Sequence, residues 1–332
     1  MLNKFLKISG LIVGLAFLPL ISFAQIDINI PFALSNELAV EIIPNYPRQN
    51  ELVFINLALY TDDLNSAKIS WYQNGKLVLE GTGEKNYSFR MGKVGEESKI
   101  EIKIALLSGS TFSKKFSLTP ASVDLVWEAN SYVPPFYKGK ALHSRQGILK
   151  VVAMPEFFKN GIKIDPKNLI YEWSNQVEAY EDQSGYGKNV LLLNGSLLGR
   201  AEEIEVLVTD RVNNLVADGF ITIAPTDPEI VFYENDPYYG QIYDQAILNN
   251  FKLKGSEVQI LAAPYYFTKE RVGGLKYEWR LNNVLISSLL DSRTAIFKKP
   301  EESGQSKISL SIENLNRILQ QADNSLIMQF EN

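Results

Sequence analysis

Cysteine is absent from the 332 residues, and histidine occurs once, as His143. Without cysteine there are no disulfides, no thiol nucleophile, no zinc-thiolate site and no lipidated cysteine. With a single imidazole, a zinc site lacks nitrogen ligands, and a triad needs His143 beside both an acid and a nucleophile. His143 sits in "ALHSRQG" ahead of a predicted strand and reads as an exposed loop residue. Phosphate-cradling loops are also missing. "GTGEKN" and "SGYGKN" hold two glycines each, lack a third and read as turns. Neither a Gly-x-Ser-x-Gly elbow nor an Asp-x-Asp-x-Asp-Gly calcium loop occurs. No long basic run is present, and the net charge is −5. Nucleic acid is therefore an unsuitable partner, because phosphate binding needs a concentrated basic face. After residue 24 no apolar run is long enough to span a membrane. No catalytic residue, metal or cofactor is assigned, and the chain is expected not to be an enzyme.

Apolar material is plentiful. Hydrophobic residues make up 45% and aromatic residues 11% of the chain, enough for several cores and against global disorder. The N-terminus, "MLNKFLKISGLIVGLAFLPLISFAQ", reads as a secretory leader. Lys4 and Lys7 form a basic start, Ile8 to Leu20 an apolar stretch, and Ser22 and Ala24 the small residues before a cleavage site at Gln25. An uncleaved anchor is the alternative, and both place the rest of the chain outside the cytoplasm. Loss of the two lysines with the leader takes the net charge from −5 to −7.

Three short runs repeat: "KISWYQNGK" (68–76), "LIYEWSNQ" (169–176) and "LKYEWRLNN" (275–283). Their Trp71, Trp173 and Trp279 lie 102 and 106 residues apart, which suits whole domains in tandem rather than solenoid repeats. Val126-Trp127 and Ala141-Leu142 match Val231-Phe232 and Ala246-Ile247 at a common offset of 105, and "VVAMPEFF" (151–158) matches "ILAAPYYF" (260–267). The second and third units are thus read as duplicates and the first as a more distant relation. Within each unit "ELVFINLALY", "ILKVVAM" and "EVQILAA" alternate at period two, the pattern of half-buried strands. Asn74-Gly75, Asn213-Asn214 and Gly273-Gly274 mark turns. Only "NLNRILQQA" (314–322) has helical spacing, and it reads as a short helical turn or an elaborated hairpin loop. Pro-containing links at 118–124 and 224–230 are short, which implies a semi-rigid rod.

Seven or so strands per hundred residues with a core-facing Trp form the pattern of an immunoglobulin-like β-sandwich. The expected organisation is a leader over 1–24, then immunoglobulin-like domains over 25–120, 121–225 and 226–332. The Trp followed by Asn-Gly in "WYQNGK", and its weaker forms "WSNQ" and "WRLNN", resemble the third strand of bacterial immunoglobulin-like and polycystic-kidney-disease-like (PKD-like) surface modules. The resemblance implies that Trp71, Trp173 and Trp279 pin three cores, and that the chain is a non-catalytic, extracytoplasmic stalk, spacer or adhesion module.

Two aromatic clusters stand apart from the cores. "NSYVPPFYKGK" (130–140) carries Tyr132, Phe136 and Tyr137, and "ENDPYYGQIYDQ" (234–245) carries Tyr238, Tyr239 and Tyr243. Tyr-rich loops with Gly and Asn suit binding surfaces, where rigid amphipathic rings make contact at low entropic cost. Both segments directly follow the first strand of a duplicate domain, so they also read as crossings that cover one end of a core. Asp210, Asp227 and Glu229 near the second link could supply oxygen ligands to calcium or be solvated link residues. Three functions follow: a surface scaffold or adhesion rod whose partner is an envelope protein, a carbohydrate-binding module using the Tyr loops on a polysaccharide, and an extracytoplasmic enzyme of unknown type. Exposed and coplanar rings at Tyr238, Tyr239 and Tyr243 are what the second requires.

Overall fold

The computed structural model describes residues 38–269 and 274–331; the leader over 1–24 and Gly273 of the Gly273-Gly274 turn lie outside them. The described chain is all-β. Its first unit runs β1 (Ala39–Ile43), β2 (Leu52–Ala58), β3 (Lys68–Gln73), β4 (Lys76–Thr82), β5 (Asn86–Arg90), β6 (Ser98–Ala105) and β7 (Thr111–Leu118). The second runs β8 (Ser122–Ala129), β9 (Ile148–Glu156), β10 (Phe158–Lys159), β11 (Ile162–Lys163), β12 (Ile170–Ser174), β13 (Gly185–Tyr186), β14 (Val190–Asn194), β15 (Glu202–Asp210) and β16 (Leu215–Ile223). The third runs β17 (Glu229–Asp236), β18 (Gly240–Ile247), β19 (Asn250–Leu253), β20 (Glu257–Tyr265), β21 (Leu275–Leu281), β22 (Val284–Leu285), β23 (Thr294–Lys298), β24 (Gly304–Asn314) and β25 (Gln321–Phe330).

Each unit is a two-sheet sandwich of immunoglobulin-like plan. The sheets are β1-β2-β5 on β4-β3-β6-β7 in the first and β8-β9-β14 on β13-β12-β15-β16 in the second. In the third they are β18-β17-β20-β23 on β19-β25-β24-β21-β22, with β19 parallel to β25. Alternating side chains of facing sheets fill each core. Trp71, Trp173 and Trp279 are among the largest fully buried side chains. Each ring N–H donates to a backbone carbonyl later in its unit: Trp71 to Glu84 at 2.7 Å, Trp173 to Lys188 at 2.8 Å and Trp279 to Ser292 at 2.8 Å. A buried indole is thereby satisfied, and it ties the strand that bears it (β3, β12 or β21) to a segment further along the same unit.

The turn asparagines have a second role. Asn74 and Asn282 adopt left-handed backbone at φ 52° and 49°, and the carboxamide oxygen of each accepts from a backbone N–H, Lys99 in β6 and Lys307 in β24, at 2.9 Å. The second unit has Gln176 where the others have this asparagine, so here the first and third units agree best.

One sequence match is two residues out of register. Val123 pairs with Pro155 and Ile230 with Pro264, which puts Phe232 two residues beyond the pairing point and Trp127 four. A period-two pattern keeps its faces under a two-residue slip, so Val126-Trp127 could be laid on Val231-Phe232 without penalty. Trp127 is only half-buried, and the Lys140 ammonium sits 3.3 Å from its ring centroid.

His143 is not an exposed loop residue but 1% exposed. Its ring lies against two glycines; a Cβ on Gly195 would fall 2.3 Å from His143 Cε1, and one on Gly147 3.0 Å from Nδ1. Neither ring nitrogen has a hydrogen-bond partner among the described residues, and burial lowers the pKa to about 4.

The two joints differ. At the end of the first unit Gly95 N–H donates to the Pro120 carbonyl at 3.2 Å, and across the joint Arg48 reaches the Asp218 carbonyl at 3.4 Å. Gly95 has φ +82°, and a Cβ there would meet Phe158 at 2.6 Å. Between the second and third units the chain does more. After β8 it crosses onto the third sandwich, where Tyr132 N–H donates to Phe267 at 2.7 Å and Tyr266 N–H to Tyr132 at 2.8 Å. Lys269 N–H donates to Asn130 at 3.0 Å, and Ser131 bridges Thr268. A fourth apolar cluster forms here, with Tyr132, Val133 and Leu142 against Tyr233, Ala263, Tyr265 and Tyr266.

Gln320 locks this joint from the 314–322 segment, which is not helical: it is the end of β24, the loop 315–320 and the start of β25. The side chain is 1% exposed. Its amide nitrogen faces Ser144 Oγ at 2.9 Å, the Arg145 carbonyl at 2.8 Å and Thr268 Oγ1 at 2.7 Å, while its oxygen accepts from Thr268 N–H at 3.0 Å. Alanine here leaves several buried groups without a partner, at a cost of about 2–3 kcal/mol. Gln320→Ala is expected to lower the urea midpoint of the second and third sandwiches and leave that of the first unchanged, as read by segment-resolved hydrogen exchange.

Candidate functional site

The joint also builds a cleft of about 1020 Å³. One wall is the crossing segment after β8, and the other is the β17–β18 hairpin. The two Tyr-rich clusters therefore face each other, although they lie about a hundred residues apart and were read as equivalent crossings. They are not equivalent: the first leaves its own sandwich for the next, and the second folds back as a hairpin. Asp236 makes the hairpin tip, its Oδ1 accepting from Tyr238 N–H at 2.7 Å and Tyr239 N–H at 2.9 Å, with Gly240 at φ +74° completing the turn.

The six aromatic residues divide into two groups. Tyr132 and Tyr243 are half-buried, and Tyr137 is 38% exposed. The Arg293 guanidinium lies 4.7 Å from the Tyr132 ring centroid and also donates to its hydroxyl. Tyr137 meets Tyr265 edge-on at 5.6 Å and shares a hydroxyl contact of 3.0 Å with Tyr266. Tyr243 meets Tyr233 edge-on at 5.2 Å, and Tyr233 and Tyr265 hydroxyls lie 2.7 Å apart. These edge-to-face contacts form a continuous aromatic floor. Burial, then the Tyr233 hydroxyl, pushes the Tyr265 phenol well above the ordinary tyrosine range; burial, then the Tyr137 hydroxyl, does the same to Tyr266. These two phenols are neutral at any physiological pH.

Phe136, Tyr238 and Tyr239 form the second group, at 96%, 93% and 86% exposed. Phe136 and Tyr239 line the cleft. Phe136 also holds φ +61°, and Tyr266 beneath holds φ +64°. Left-handed backbone is unfavourable for bulky residues, and such strain gathers at functional sites. Gly139 is needed because a Cβ there would come within 2.5 Å of the Tyr137 ring. The polar lining includes Lys138, Gln241 and Asp244. The Tyr243 hydroxyl donates to Gln241 Oε1 at 2.6 Å, which orients the carboxamide.

Asp210, Asp227 and Glu229 do not converge on a cation. Asp210 caps the β15–β16 turn by accepting from Val212 N–H at 2.9 Å, and Asp227 pairs with Arg145 at 3.3 Å. No group of three or more His, Asp or Glu among the described residues could hold a metal ion. No helix among them is long and apolar enough to cross a membrane.

Neither a family model nor a curated protein sequence matches the chain. Among solved structures it is similar to three N-terminal domains of the highly immunogenic outer capsid protein of bacteriophage RB49, at 10% identity over 89% of this chain and 99% of that one, TM-score 0.27. It is also similar to the central fibronectin-III array of RIM-binding protein, at 10% identity over 90% and 96%, TM-score 0.29. A third is a Bacteroides ovatus SGBP-B from a mixed-linkage glucan utilization locus, solved with a heptasaccharide, at 10% identity over 89% and 70%, TM-score 0.21. At such identities and scores none of them bears on ligand or activity.

Sequence reasoning missed the convergence of the two clusters, the role of Gln320 and the burial of His143. A signal for the first was present: "PYYF" (264–267) carries two tyrosines where "PEFF" (155–158) carries Glu156 and Phe157, and these are the Tyr265 and Tyr266 of the floor.

Proposed function

We propose that the chain is an exported, non-catalytic interaction protein, built as a short rod of immunoglobulin-like domains over 25–120, 121–225 and 226–332. The first domain acts as a spacer, and the second and third together present a binding face. Its place is the cell surface, in scaffolding or adhesion, and its partner is an envelope protein or a polysaccharide; the leader over 1–24 carries the chain there. The likeness of "WYQNGK" to PKD-like surface modules belongs to the same reading. One observation carries it: Phe136 and Tyr239, from different domains, stand almost fully exposed on opposite walls of one cleft. A soluble protein has no folding reason to hold two large rings in water beside a preformed aromatic floor, and such patches mark binding sites.

The Phe136→Ala/Tyr239→Ala double variant tests the reading. Because both rings are exposed, its melting temperature is expected to match that of the parent. Binding of the labelled chain, residues 25–332, to isolated envelope fragments of the producing cells is expected to fall at least tenfold. Undiminished binding by the double variant overturns this assignment of the face.

A further inference from the structure

Resting on the reading of this cleft as the binding face, the geometry points to an uncharged glycan chain as its ligand. Three features of the lining choose among ligand classes.

First, its charge is balanced. Lys138 and Asp244 are the charged side chains of the cleft, one of each sign, in a chain whose net charge is −5. A polyanion finds no concentrated basic face here.

Second, its polar groups suit hydroxyls. Gln241 is exposed and its oxygen accepts from the Tyr243 hydroxyl, which leaves its amide N–H groups to serve as donors. Asp244 is exposed and offers two oxygens that only accept, while Lys138 only donates. A sugar hydroxyl both donates and accepts, so vicinal hydroxyls can satisfy all three groups together. A proline-rich segment, the other ligand class that aromatic grooves take, offers few backbone N–H groups to satisfy a carboxylate.

Third, the rings suit sugar faces. The axial C–H groups of a pyranose make one face apolar and its rim polar. Phe136 and Tyr239 supply flat apolar surface on the two walls and leave the rim to Gln241, Asp244 and Lys138. The joint holds these groups in place before any ligand arrives, through Tyr132, Gln320 and the Tyr137–Tyr266 hydroxyl contact, so little ordering entropy is lost on binding.

Residues 25–332 of the parent and of the Phe136→Ala/Tyr239→Ala variant, both labelled, are applied to an array of neutral and acidic glycans and titrated with a proline-rich peptide. The expected result is binding of one or more neutral glycans by the parent, weakened at least tenfold in the double variant and several-fold in Gln241→Ala. Binding confined to acidic glycans, absence of glycan binding, or glycan binding that survives the double substitution overturns the proposal. If the array is silent while the peptide or envelope fragments bind the parent and not the double variant, the glycan falls and the cleft remains the binding face. If nothing responds to the double substitution, both fall together.

Discussion

Trp71→Ala is expected to unfold the first sandwich and leave the other two folded. The indole is fully buried, packs at a tilt against Tyr87 with ring centroids 5.3 Å apart and donates to Glu84 at 2.7 Å. Truncating a buried Trp costs about 3–5 kcal/mol, a large part of the ~5–15 kcal/mol that holds a domain. The first joint rests on Gly95, Arg48 and Phe158, so little of that loss reaches the second unit. Trp279→Ala removes a ring of the same depth, packed on Phe232 at 5.7 Å and Phe297 at 6.1 Å. The third sandwich also supplies the floor on which Tyr132 and Gln320 lock the second, so its loss is expected to draw the second transition down with it. Scanning calorimetry distinguishes the two. Trp71→Ala removes one transition and leaves the rest in place, whereas Trp279→Ala lowers the combined transition of the second and third units. If Trp71→Ala lowers every transition equally, the asymmetry of the joints is wrong.

Acid is expected to destabilise the second sandwich through His143 before it affects the rest. The imidazole is buried with both nitrogens unpartnered among the described residues, and its pKa falls from 6.5 to about 4. The folded state therefore binds fewer protons than the unfolded state between these values, so stability rises with pH across that window. It is full above about pH 6.5 and is lost as pH falls toward 4, by about 3 kcal/mol at ~1.4 kcal/mol per tenfold. The effect reaches the joint, because the His143 carbonyl accepts from Thr226 N–H at 2.7 Å and Ser144 beside it meets Gln320. Urea midpoints measured between pH 4 and 7.5 are expected to show the slope in the parent and to lose it in His143→Leu, which removes the titrating ring while keeping a side chain of similar bulk. A slope that persists in His143→Leu assigns the acid sensitivity elsewhere.

How much was legible depended on the range of the interaction. Strand alternation, the Trp runs and the Asn turns are local: side-chain period, a ring facing the core and left-handed backbone are properties of a few consecutive residues. They led from the letters to an all-β chain of immunoglobulin-like sandwiches. The slip of Trp127 against Phe232 shows the limit even there, since period-two patterns carry faces and not register. His143 was misplaced for a related reason. "ALHSRQG" is polar and turn-like, and its burial comes from Gly147 and Gly195, the latter fifty residues away, which leave room for a ring.

The sequence by itself determined the strands, the tandem sandwich architecture and the aromatic composition of two loops, because each is written in local period and residue type. Tertiary structure alone decided that the loop after β8 leaves its own domain, that Gln320 locks the joint, and that Phe136 and Tyr239 come to face each other across one cleft. Those outcomes depend on contacts between residues a hundred or more apart, whose energies are set by docked backbone and buried area rather than by any neighbouring residue in the chain.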